Sequence, residues 1–366
     1  MIDFTLIGHP FDIDHLYRYL KHLKPDLKRP RRELLLKLFE WTPPFNERQI
    51  EITSPNGRTA RGNIVICPLL PEMVQDNNQR HFRSLCVEKV IAVLKLAESQ
   101  GAKISGLGGF TSIADGDQGR LVARKVLGMA VTSGNTLTAM AAVNGVIEAA
   151  RMFELDLSAS TAAVVGAAGD IGTACCRYLA TRVRCLVLAS HFSFNLLKIA
   201  KDLRQYNKAE IIVQKDNVKA VSQADIVITA ASSVAPFFRQ DDFRPGAIVC
   251  DVAYPKNTFI DYQIENSPIF LFSGGLLASP VPVVMPYDMG LPEPNLMYGC
   301  WSEAIILALD EQYNSFSLGR GMIVPERMQF IWALAMKHGF RPAPFFFGEK
   351  IWSEKQIDRI RGIIDH

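Results

Sequence analysis

The first 157 residues mix short apolar runs with apolar residues at helical spacing. Short runs of continuous or alternating apolar positions are typical of strands, whereas apolar residues three and four apart are typical of helices. The predicted strands are Phe4–Ile7, Arg48–Thr53, Gly62–Cys67 and Lys103–Leu107, and the predicted helices include Leu34–Phe39 and Val87–Ala97. This mixture predicts an N-terminal α/β unit.

A regular alternation of apolar strands and helical segments begins at Thr161. The six predicted strands are Thr161–Val165, Cys185–Leu188, Glu210–Val213, Ile226–Thr229, Ala247–Asp251 and Ile269–Phe272. Six strands that alternate with helices favour a doubly wound parallel sheet of the Rossmann type. A long helical run, Leu137–Phe153, begins after the capping sequence Ser133-Gly134-Asn135-Thr136 and is expected to link this unit to the first one.

The C-terminal part of the chain is expected to be mainly helical. It begins with a proline-rich and mostly uncharged stretch, Leu276–Pro294. Helical spacing follows from about Leu296 to Gln312 and from Pro325 to His338, and the chain ends in a short amphipathic helix. The pattern therefore predicts three domains, with boundaries at 1–157, 158–275 and 276–366.

Composition and charge narrow the class of protein. The chain has 366 residues, 48% of them hydrophobic, and a net charge of only +3, so nothing in the total charge argues for a nucleic-acid partner. Its seven scattered cysteines, two of them adjacent, are not typical of a disulfide framework and favour a reducing compartment. The N-terminus lacks the pattern of a secretory signal, and no apolar run is long enough to span a membrane. We therefore expect a soluble, cytoplasmic protein.

A glycine-rich turn follows the first strand of the second unit. Gly166, Gly169 and Gly172 stand between that strand and a helix, together with Ala167, Asp170 and Ile171. The first glycine permits a sharp turn, the second lets backbone N–H groups approach a pyrophosphate, and the third lets the helix pack closely on the sheet. The alternative is a glycine-rich turn in an α/β unit that binds nothing. The strand–turn–helix context favours a dinucleotide site.

The end of the next strand indicates which dinucleotide is preferred. An NAD site usually carries Asp or Glu there, whereas this chain has Ser190 and His191. Both side chains can donate to a 2′-phosphate, so NADPH is the predicted cofactor, although the same residues also suit an ordinary exit from a strand. Ala230 and Ala231, which follow the strand Ile226–Thr229, complete the predicted cofactor site. No metal site is predicted.

Several short sequences occur together in one order. They are Leu6-Ile-Gly-His9, Leu70-Pro-Glu-Met73, Gly108-Gly-Phe-Thr-Ser-Ile113, Gly134-Asn-Thr136, Val165-Gly-Ala167, Gly169-Asp-Ile-Gly172, Tyr254-Pro-Lys-Asn257, Gly274-Gly275, Cys300, Glu303-Ala304, Asn314-Ser-Phe-Ser317, Gly319-Arg320 and His338-Gly-Phe340. In these residues the chain resembles, nearly end to end, the cyanobacterial long-chain fatty acyl-[acyl-carrier-protein] reductases, which form fatty aldehydes.

The resemblance implies a function for each segment. It implies an α/β substrate domain over 1–157, an NADPH-binding Rossmann domain over 158–275, and a C-terminal segment with Cys300 as the nucleophile. The chain departs from the family at His191, where the family has arginine, in the neighbours of Cys300 and through most of Leu276–Pro294. Without the resemblance, a lone cysteine is more often an inert core residue.

The implied reaction suits a cysteine at the start of a helix. Transfer of the acyl group to a thiolate anchors the carbonyl before it is reduced to an aldehyde. The helix macrodipole favours the thiolate of Cys300. Lys256 and His338 are candidate proton donors or acceptors, although a solvated loop lysine and a histidine that caps a helix are the ordinary alternatives. The predicted substrate-binding residues are Gly108, Gly109, Phe110, Thr111, Ser112, Asn135, Thr136 and Tyr254.

Backbone N–H groups at Gly108-Gly109 or Gly274-Gly275 are candidate donors to an oxyanion. The polar side chains among the predicted substrate-binding residues have turn formation and helix capping as their alternative role. The apolar stretch Leu276–Met289 is a candidate wall for an acyl chain, with a buried linker as the alternative.

The expected partner is an acyl carrier protein, or acyl-CoA in its place, and the resemblance adds an aldehyde-deformylating oxygenase downstream. Basic residues crowd Arg18–Lys37, which would suit an acidic carrier protein or would simply form a solvated face. Two other functions are kept open. One is an NADP-dependent reductase of a small carbonyl compound with a structural Cys300, and the other is a nucleotide-binding regulatory protein without turnover.

Overall fold

The computed structural model describes residues 2–75, 80–190, 193–206, 209–259, 264–283 and 289–364. The chain divides into two units. Unit 1 comprises Met1–Asn135, Ala278–Met322 and Ala333–Arg341, and unit 2 comprises Thr136–Leu277, Ile323–Trp332 and Pro342–His366.

The helices are α1 (Ile13–Leu23), α2 (Arg32–Trp41), α3 (Pro71–Gln75), α4 (Arg80–Ser99), α5 (Arg120–Ala123), α6 (Asn135–Met152), α7 (Asp170–Leu179), α8 (Ser193–Tyr206), α9 (Asn217–Val221), α10 (Gly299–Leu309), α11 (Pro325–Lys337) and α12 (Glu354–Ile364). The strands are β1 (Phe4–Gly8), β2 (Phe45–Thr53), β3 (Thr59–Ile66), β4 (Ile104–Leu107), β5 (Ala130–Thr132), β6 (Thr161–Val165), β7 (Cys185–Ala189), β8 (Glu210–Gln214), β9 (Ile226–Thr229), β10 (Ile248–Asp251), β11 (Phe270–Ser273), β12 (Leu276–Ala278), β13 (Leu296–Tyr298), β14 (Arg341–Pro342), β15 (Phe346–Phe347) and β16 (Lys350–Ile351). Among the described residues, no helix is both long enough and apolar enough to cross a membrane.

Unit 1 is built on a five-stranded sheet in the order β2-β3-β1-β4-β5. β3, β1, β4 and β5 run parallel, and β2 pairs with β3 in the antiparallel direction. The parallel strands are almost entirely buried, as expected when both faces of a sheet are covered. α10 packs against β1 and β4, and nearly all of its residues are buried because the helix is apolar around most of its circumference.

Unit 2 contains a six-stranded sheet in the order β11-β10-β9-β6-β7-β8. All neighbouring strands are parallel. Read from β8, this is the strand order 3-2-1-4-5-6 of dinucleotide-binding folds. The order in which successive strands are added reverses between β6 and β9, while all strands stay parallel. The predicted doubly wound parallel sheet is therefore confirmed.

Most of the longer elements follow the sequence-based predictions, but α1 and several short strands were not predicted. The helix predicted from Leu296 begins at Gly299, because Leu296–Tyr298 forms β13. The strand Ala130–Thr132 was not predicted, since three residues are too few to show a period. The three predicted domains do not coincide with the two units, because Thr136–Leu157 groups with unit 2 and the segment that carries Cys300 groups with unit 1. Their functional assignment stays a prediction.

Candidate active site

In unit 1, the carboxyl ends of the parallel strands bring several loops to one edge of the sheet. β1 ends at Gly8, β4 at Leu107 and β5 at Thr132. Ligands of open parallel sheets bind at this edge, because the connecting loops there are free to vary without disturbing the core. The loops that follow these strands carry His9, Gly108-Gly109 and Ser133-Gly134.

Cys300 is the second residue of α10, in the first turn of that helix. It keeps partial exposure, whereas the other six cysteines are buried; all seven lie within the described residues. The residue before the helix, Tyr298, is extended, and its side chain does not cap the backbone N–H groups of the first turn. The position therefore combines access with the positive end of the helix macrodipole.

Glycines let a neighbouring loop and strand β4 approach α10 more closely than any other residue would allow. A Cβ atom on Gly134 would lie 2.6 Å from the carbonyl carbon of Cys300, and the φ of Gly134 is +70°. A Cβ atom on Gly106 would lie 2.9 Å from the Cβ of Ala304. The first turn of α10 thus lies directly against the loop after β5.

Three backbone N–H groups interact with the sulfur of Cys300. Burial raises the pKa of its thiol to about 11, and hydrogen bonds from the N–H groups of Gly109, Trp301 and Cys300 itself lower the pKa by less than burial raises it. The carboxyl group of Glu303 adds a smaller increase. In the free protein the thiol form therefore predominates at neutral pH. The same N–H groups are suited to stabilise negative charge that develops beside the sulfur.

His9 holds the turn that presents the Gly109 N–H group. Its Nε2 accepts a hydrogen bond from the N–H of Phe110 at 2.8 Å, and its Nδ1 donates to the carbonyl oxygen of Pro10 at 2.8 Å. Both ring nitrogens are thus occupied in the neutral form, and burial lowers the pKa of the imidazole to about 4. A side chain at Gly109 would meet His9 at 2.5 Å. His9 therefore positions the backbone at this turn.

A second buried group, Glu303, lies one helical turn after Cys300. The hydroxyl of Thr132 donates to the Glu303 carboxylate and accepts a hydrogen bond from the N–H of Ser317 at 3.0 Å. Both Thr132 and Glu303 are fully buried. This pair joins the end of β5 to α10 and thereby fixes the loop that contains Gly134.

Neither His9 nor Glu303 was singled out as a functional residue from the sequence. A signal existed for each of them. His9 follows a strand that ends at the ligand-binding edge of a parallel sheet, and Glu303 is a carboxylate on an otherwise apolar helix.

The predicted substrate-binding side chains in unit 1 are largely used within their own loops. The hydroxyl of Thr111 donates to the carbonyl oxygen of Gly108 at 2.8 Å, and that of Ser112 donates to Gly109 at 2.8 Å. The side-chain amide of Asn135 donates to Gln118 at 3.1 Å. Phe110 is buried beside the ring of His9. Their contact with substrate stays a prediction, and the backbone is better placed than the hydroxyls to provide donors.

His338 contacts the residue that follows α10, at the opposite end of the helix from Cys300. Its Nε2 lies 3.0 Å from Asp310 Oδ1, and its Nδ1 lies 3.3 Å from the hydroxyl of Ser54. Asp310 follows the last residue of α10 and is ten residues after Cys300, which corresponds to about 15 Å along a helix. His338 is fully buried, and burial lowers the pKa of its ring. These contacts give His338 a structural role at this end of the helix, and its catalytic role as an acid or base stays a prediction.

In unit 2, the glycine-rich turn follows β6, at the point where the strand order of the sheet reverses. Gly166 has a φ of +80°, and a Cβ atom there would lie 2.7 Å from the carbonyl carbon of Ala230 and 2.8 Å from the nitrogen of Ala231. The N–H groups of Gly166 and Ala167 donate to the carbonyl oxygen of Ala189 at 2.9 and 3.1 Å. The turn after β6 therefore packs directly on the end of β9.

The next two glycines shape the start of α7. A Cβ atom on Gly172 would lie 2.8 Å from the carbonyl carbon of Gly166, so the helix approaches the turn closely. Gly169 is the residue before the helix and carries no side-chain cap, and Asp170 and Ile171 are the first two helical residues. This arrangement is a cradle of backbone atoms that larger residues would fill. It fits the pyrophosphate of a dinucleotide.

Asn257 is a buried residue that completes this part of unit 2. Its Oδ1 accepts a hydrogen bond from the N–H of Ala231 at 3.1 Å, and its Nδ2 donates to the carbonyl oxygen of Ala231 at 3.0 Å. The amide thereby fixes the chain after β9 at the point that touches Gly166. Sequence reasoning included Asn257 only as part of a motif and assigned it no role.

Lys256 is engaged inside unit 2. Its ammonium donates to the carbonyl oxygen of Asp251 at 2.8 Å and lies 3.7 Å from the centre of the Tyr254 ring. Asp251 is fully buried, and burial raises the pKa of its carboxyl group. Lys256 is therefore neither solvated nor free to move, and its catalytic role, like substrate contact by Tyr254, stays a prediction.

Of the remaining predicted residues, the structure describes Ser190 and Thr136. Ser190 is buried directly after β7, and Thr136 is buried in the first turn of α6 in unit 2. His191 lies outside the described residues, as do residues 284–288 of the stretch Leu276–Met289, so the predicted 2′-phosphate contact and acyl channel stay predictions.

The sequence of the chain is similar to those of two known proteins. The chain is 29% identical over 351 residues to the long-chain acyl-[acyl-carrier-protein] reductase of Synechococcus elongatus, which covers 93% of this chain and 98% of that protein. It is 28% identical over 378 residues to the aminotransferase PigE of a Serratia species, where the match covers 97% of this chain but 41% of that protein. The chain is thus a distant relative of the cyanobacterial reductase. No protein-family profile matches it.

Solved structures are similar only at a low level. The quinate dehydrogenase of Corynebacterium glutamicum in complex with NAD is 13% identical with a TM-score of 0.35, and the match covers 99% of this chain and 98% of that one. The shikimate 5-dehydrogenase of Listeria monocytogenes is 14% identical with a TM-score of 0.33, over 68% of this chain and 82% of that one. The fold assignment therefore rests on the sheets described above.

Proposed function

We propose that this protein is an NADPH-dependent oxidoreductase that reduces a long-chain fatty acyl thioester to a fatty aldehyde through an acyl-enzyme at Cys300. The thioester is carried by an acyl carrier protein or by coenzyme A. The observation that carries the proposal is the cluster of backbone N–H groups around the Cys300 sulfur at the start of α10. The similarity to the cyanobacterial reductase over 93% of the chain supports the choice of substrate.

The first half of the reaction is a transfer between two sulfur atoms. The sulfur of Cys300 attacks the acyl carbon, the bond from that carbon to the carrier sulfur breaks, and the proton of the Cys300 thiol ends on the released carrier thiol. Negative charge develops on the acyl oxygen while the carbon is tetrahedral. A backbone N–H such as that of Gly109, held by His9 through the neighbouring peptide, is a suitable donor to that oxygen.

Residues of unit 2 would hold the cofactor. Gly166, Gly169 and Gly172 with the first turn of α7 would bind the pyrophosphate, and Ser190 would contact the adenosine ribose or its phosphate. When bound, NADPH supplies the hydride that reduces the acyl group. Cys300 then leaves as a thiolate as the aldehyde forms, and one proton restores its thiol.

Intact-protein mass spectrometry tests the acyl-enzyme directly. Wild type is incubated with a long-chain acyl thioester, first without NADPH and then with it. The expected result is one acyl adduct on wild type that disappears when NADPH is added, with release of one equivalent of aldehyde. Cys300→Ala should form no adduct. Cys185→Ala, which removes a buried cysteine from β7, is the matched control and should behave as wild type.

Three results would overturn the proposal. The first is an adduct that persists in Cys300→Ala. The second is aldehyde formation by Cys300→Ala at the wild-type rate, which would point to direct reduction with a structural Cys300. The third is wild type that binds NADPH but forms no adduct and no aldehyde from soluble thioesters, which would favour a small carbonyl substrate or a binding protein without turnover.

A further inference from the structure

One face of α2 exposes large apolar side chains to solvent. Leu34, Leu38 and Trp41 are 61%, 49% and 84% exposed. Their spacing of four and three residues places them in one row, which we call the α2 apolar stripe. Leu35 and Phe39, on another face of the same helix, are buried in the core of unit 1. The stripe therefore lies on the exposed face of a helix whose other face packs in the core of unit 1.

Basic residues accompany the stripe. Between Arg18 and Trp41 the sequence has eight Lys and Arg residues and three acidic residues, Asp26, Glu33 and Glu40. At about 100° per helical residue, Arg31 and Lys37 lie on opposite sides of Leu34, about 60° from it in each direction. Both are exposed. The apolar row is thus bordered by positive charge.

Two of the eight basic side chains are already engaged. Arg29 pairs with Asp14, and Arg32 lies 2.5 Å from Glu72. Within the part of the chain that the structure describes, six basic residues then remain against the three acidic ones of the segment. The local positive excess persists although the whole chain is close to neutral. It would attract an anionic surface over a distance of about 10 Å at moderate salt.

This combination of groups favours a lipid surface over an acidic protein. Ion pairs with carboxylates would account for the arginines and lysines but would leave three large apolar side chains in water. A bilayer interface satisfies both, because leucine and the tryptophan ring enter the headgroup region while basic residues meet anionic phosphates. We propose that α2 and the segment before it form a docking surface for anionic lipid bilayers, with the α2 apolar stripe inserted among the headgroups.

The proposal is independent of the reductase chemistry, because it concerns the protein without substrate or cofactor. Its test can therefore fail while the acyl-enzyme experiment succeeds, and the reverse. If both hold, α2 would bring the enzyme to the phase into which a long-chain aldehyde partitions.

Vesicle flotation of the full-length protein provides the measurement. Phosphatidylcholine vesicles are compared with vesicles in which about one third of the lipid is phosphatidylglycerol. We expect binding of wild type to the anionic vesicles only. Arg31→Glu/Lys37→Glu should lower the partition coefficient by about twentyfold or more, since each basic residue near such a surface contributes about fivefold. Lys198→Glu/Lys201→Glu, an equal charge change on exposed residues of α8, is the matched control and should leave binding unchanged.

Tryptophan fluorescence tests insertion separately from attraction. Of the four tryptophans, Trp41 is highly exposed, Trp332 is partly buried, and Trp301 and Trp352 are 6% and 5% exposed. Anionic vesicles with brominated acyl chains should quench and blue-shift the emission of wild type but not of Trp41→Phe. Leu38→Ser/Trp41→Ser should weaken flotation while its thermal unfolding stays close to wild type, because neither side chain packs in the core.

Two outcomes would overturn the proposal. One is equal flotation of wild type and both double variants on α2. The other is a loss of affinity for an acidic carrier protein in Arg31→Glu/Lys37→Glu together with no binding of wild type to anionic vesicles, which would identify the surface as a protein interface.

Discussion

Replacement of Gly134 by alanine should disable Cys300 without touching its side chain. The new Cβ atom would lie 2.6 Å from the carbonyl carbon of Cys300 and nearer still to its Cα and oxygen. All of these atoms belong to the backbone of α10, so no side-chain rotation can relieve the overlap. Either the helix or the loop after β5 must move.

The size of the movement follows from the contact distance. An ordinary van der Waals contact begins at 3.4 Å, so the carbonyl carbon alone requires a displacement of about 0.8 Å. A misplacement of about 1 Å at a reacting group costs on the order of a hundredfold in rate. We therefore expect acylation of Cys300 to slow by roughly ten- to a hundredfold. The value within this range depends on how the movement is divided between α10 and the loop after β5. The left-handed backbone at φ +70° adds about 1 kcal/mol of destabilisation.

A second glycine separates the steric effect from the backbone effect. Gly57 has a φ of +85°, and nothing lies within 4 Å of the position of its Cβ atom. Gly57→Ala should therefore lose stability through backbone strain alone and acylate at the wild-type rate. The assay is single-turnover acylation followed by mass spectrometry, with thermal unfolding of both variants. If Gly134→Ala were acylated as fast as wild type and lost no more stability than Gly57→Ala, the close contact between this loop and α10 would not govern the position of the nucleophile.

Three further predictions concern the thiol, His338 and the glycine turn. Because burial raises the pKa of the Cys300 thiol to about 11 and only the thiolate reacts, iodoacetamide labelling of Cys300 should speed up about tenfold per pH unit between roughly pH 7 and 10; an inflection near pH 7 would contradict this. His338→Gln should lower the free energy of unfolding by about 1–3 kcal/mol, because it breaks a buried hydrogen bond to Asp310, and leave the acylation rate unchanged. A large loss of acylation in a folded His338→Gln protein would instead support a catalytic role for His338. Gly172→Ala should lower both the melting temperature and the NADPH affinity, since its Cβ would lie 2.8 Å from the carbonyl carbon of Gly166, whereas Gly169→Ala, with a nearest contact of 3.2 Å, should mainly weaken NADPH binding. Wild-type NADPH affinity in both variants, measured by titration calorimetry, would count against the pyrophosphate cradle.

The sequence by itself determined the architecture of unit 2 and the location of its glycine turn. Strand, turn and helix are contiguous there, and each glycine acts on neighbours within a few residues, so the pattern is readable locally. The six strands were likewise visible because parallel strands that are buried on both faces are continuously apolar. The resemblance to acyl-carrier-protein reductases predicted that Cys300 is the nucleophile, whereas composition and spacing gave no such indication.

Only the tertiary structure decided what surrounds that cysteine. Gly134 and Gly109 reach α10 from loops that are more than 160 residues away in the chain, and His9 supports the turn at Gly109. Such contacts depend on strand order and on close backbone approach, neither of which leaves a periodic signal. Tertiary contacts also distinguish two histidines whose roles could not be told apart from the sequence. His9 follows a strand at the ligand-binding edge and orients the turn beside the sulfur, whereas His338 meets Asp310 at the far end of the helix that carries Cys300.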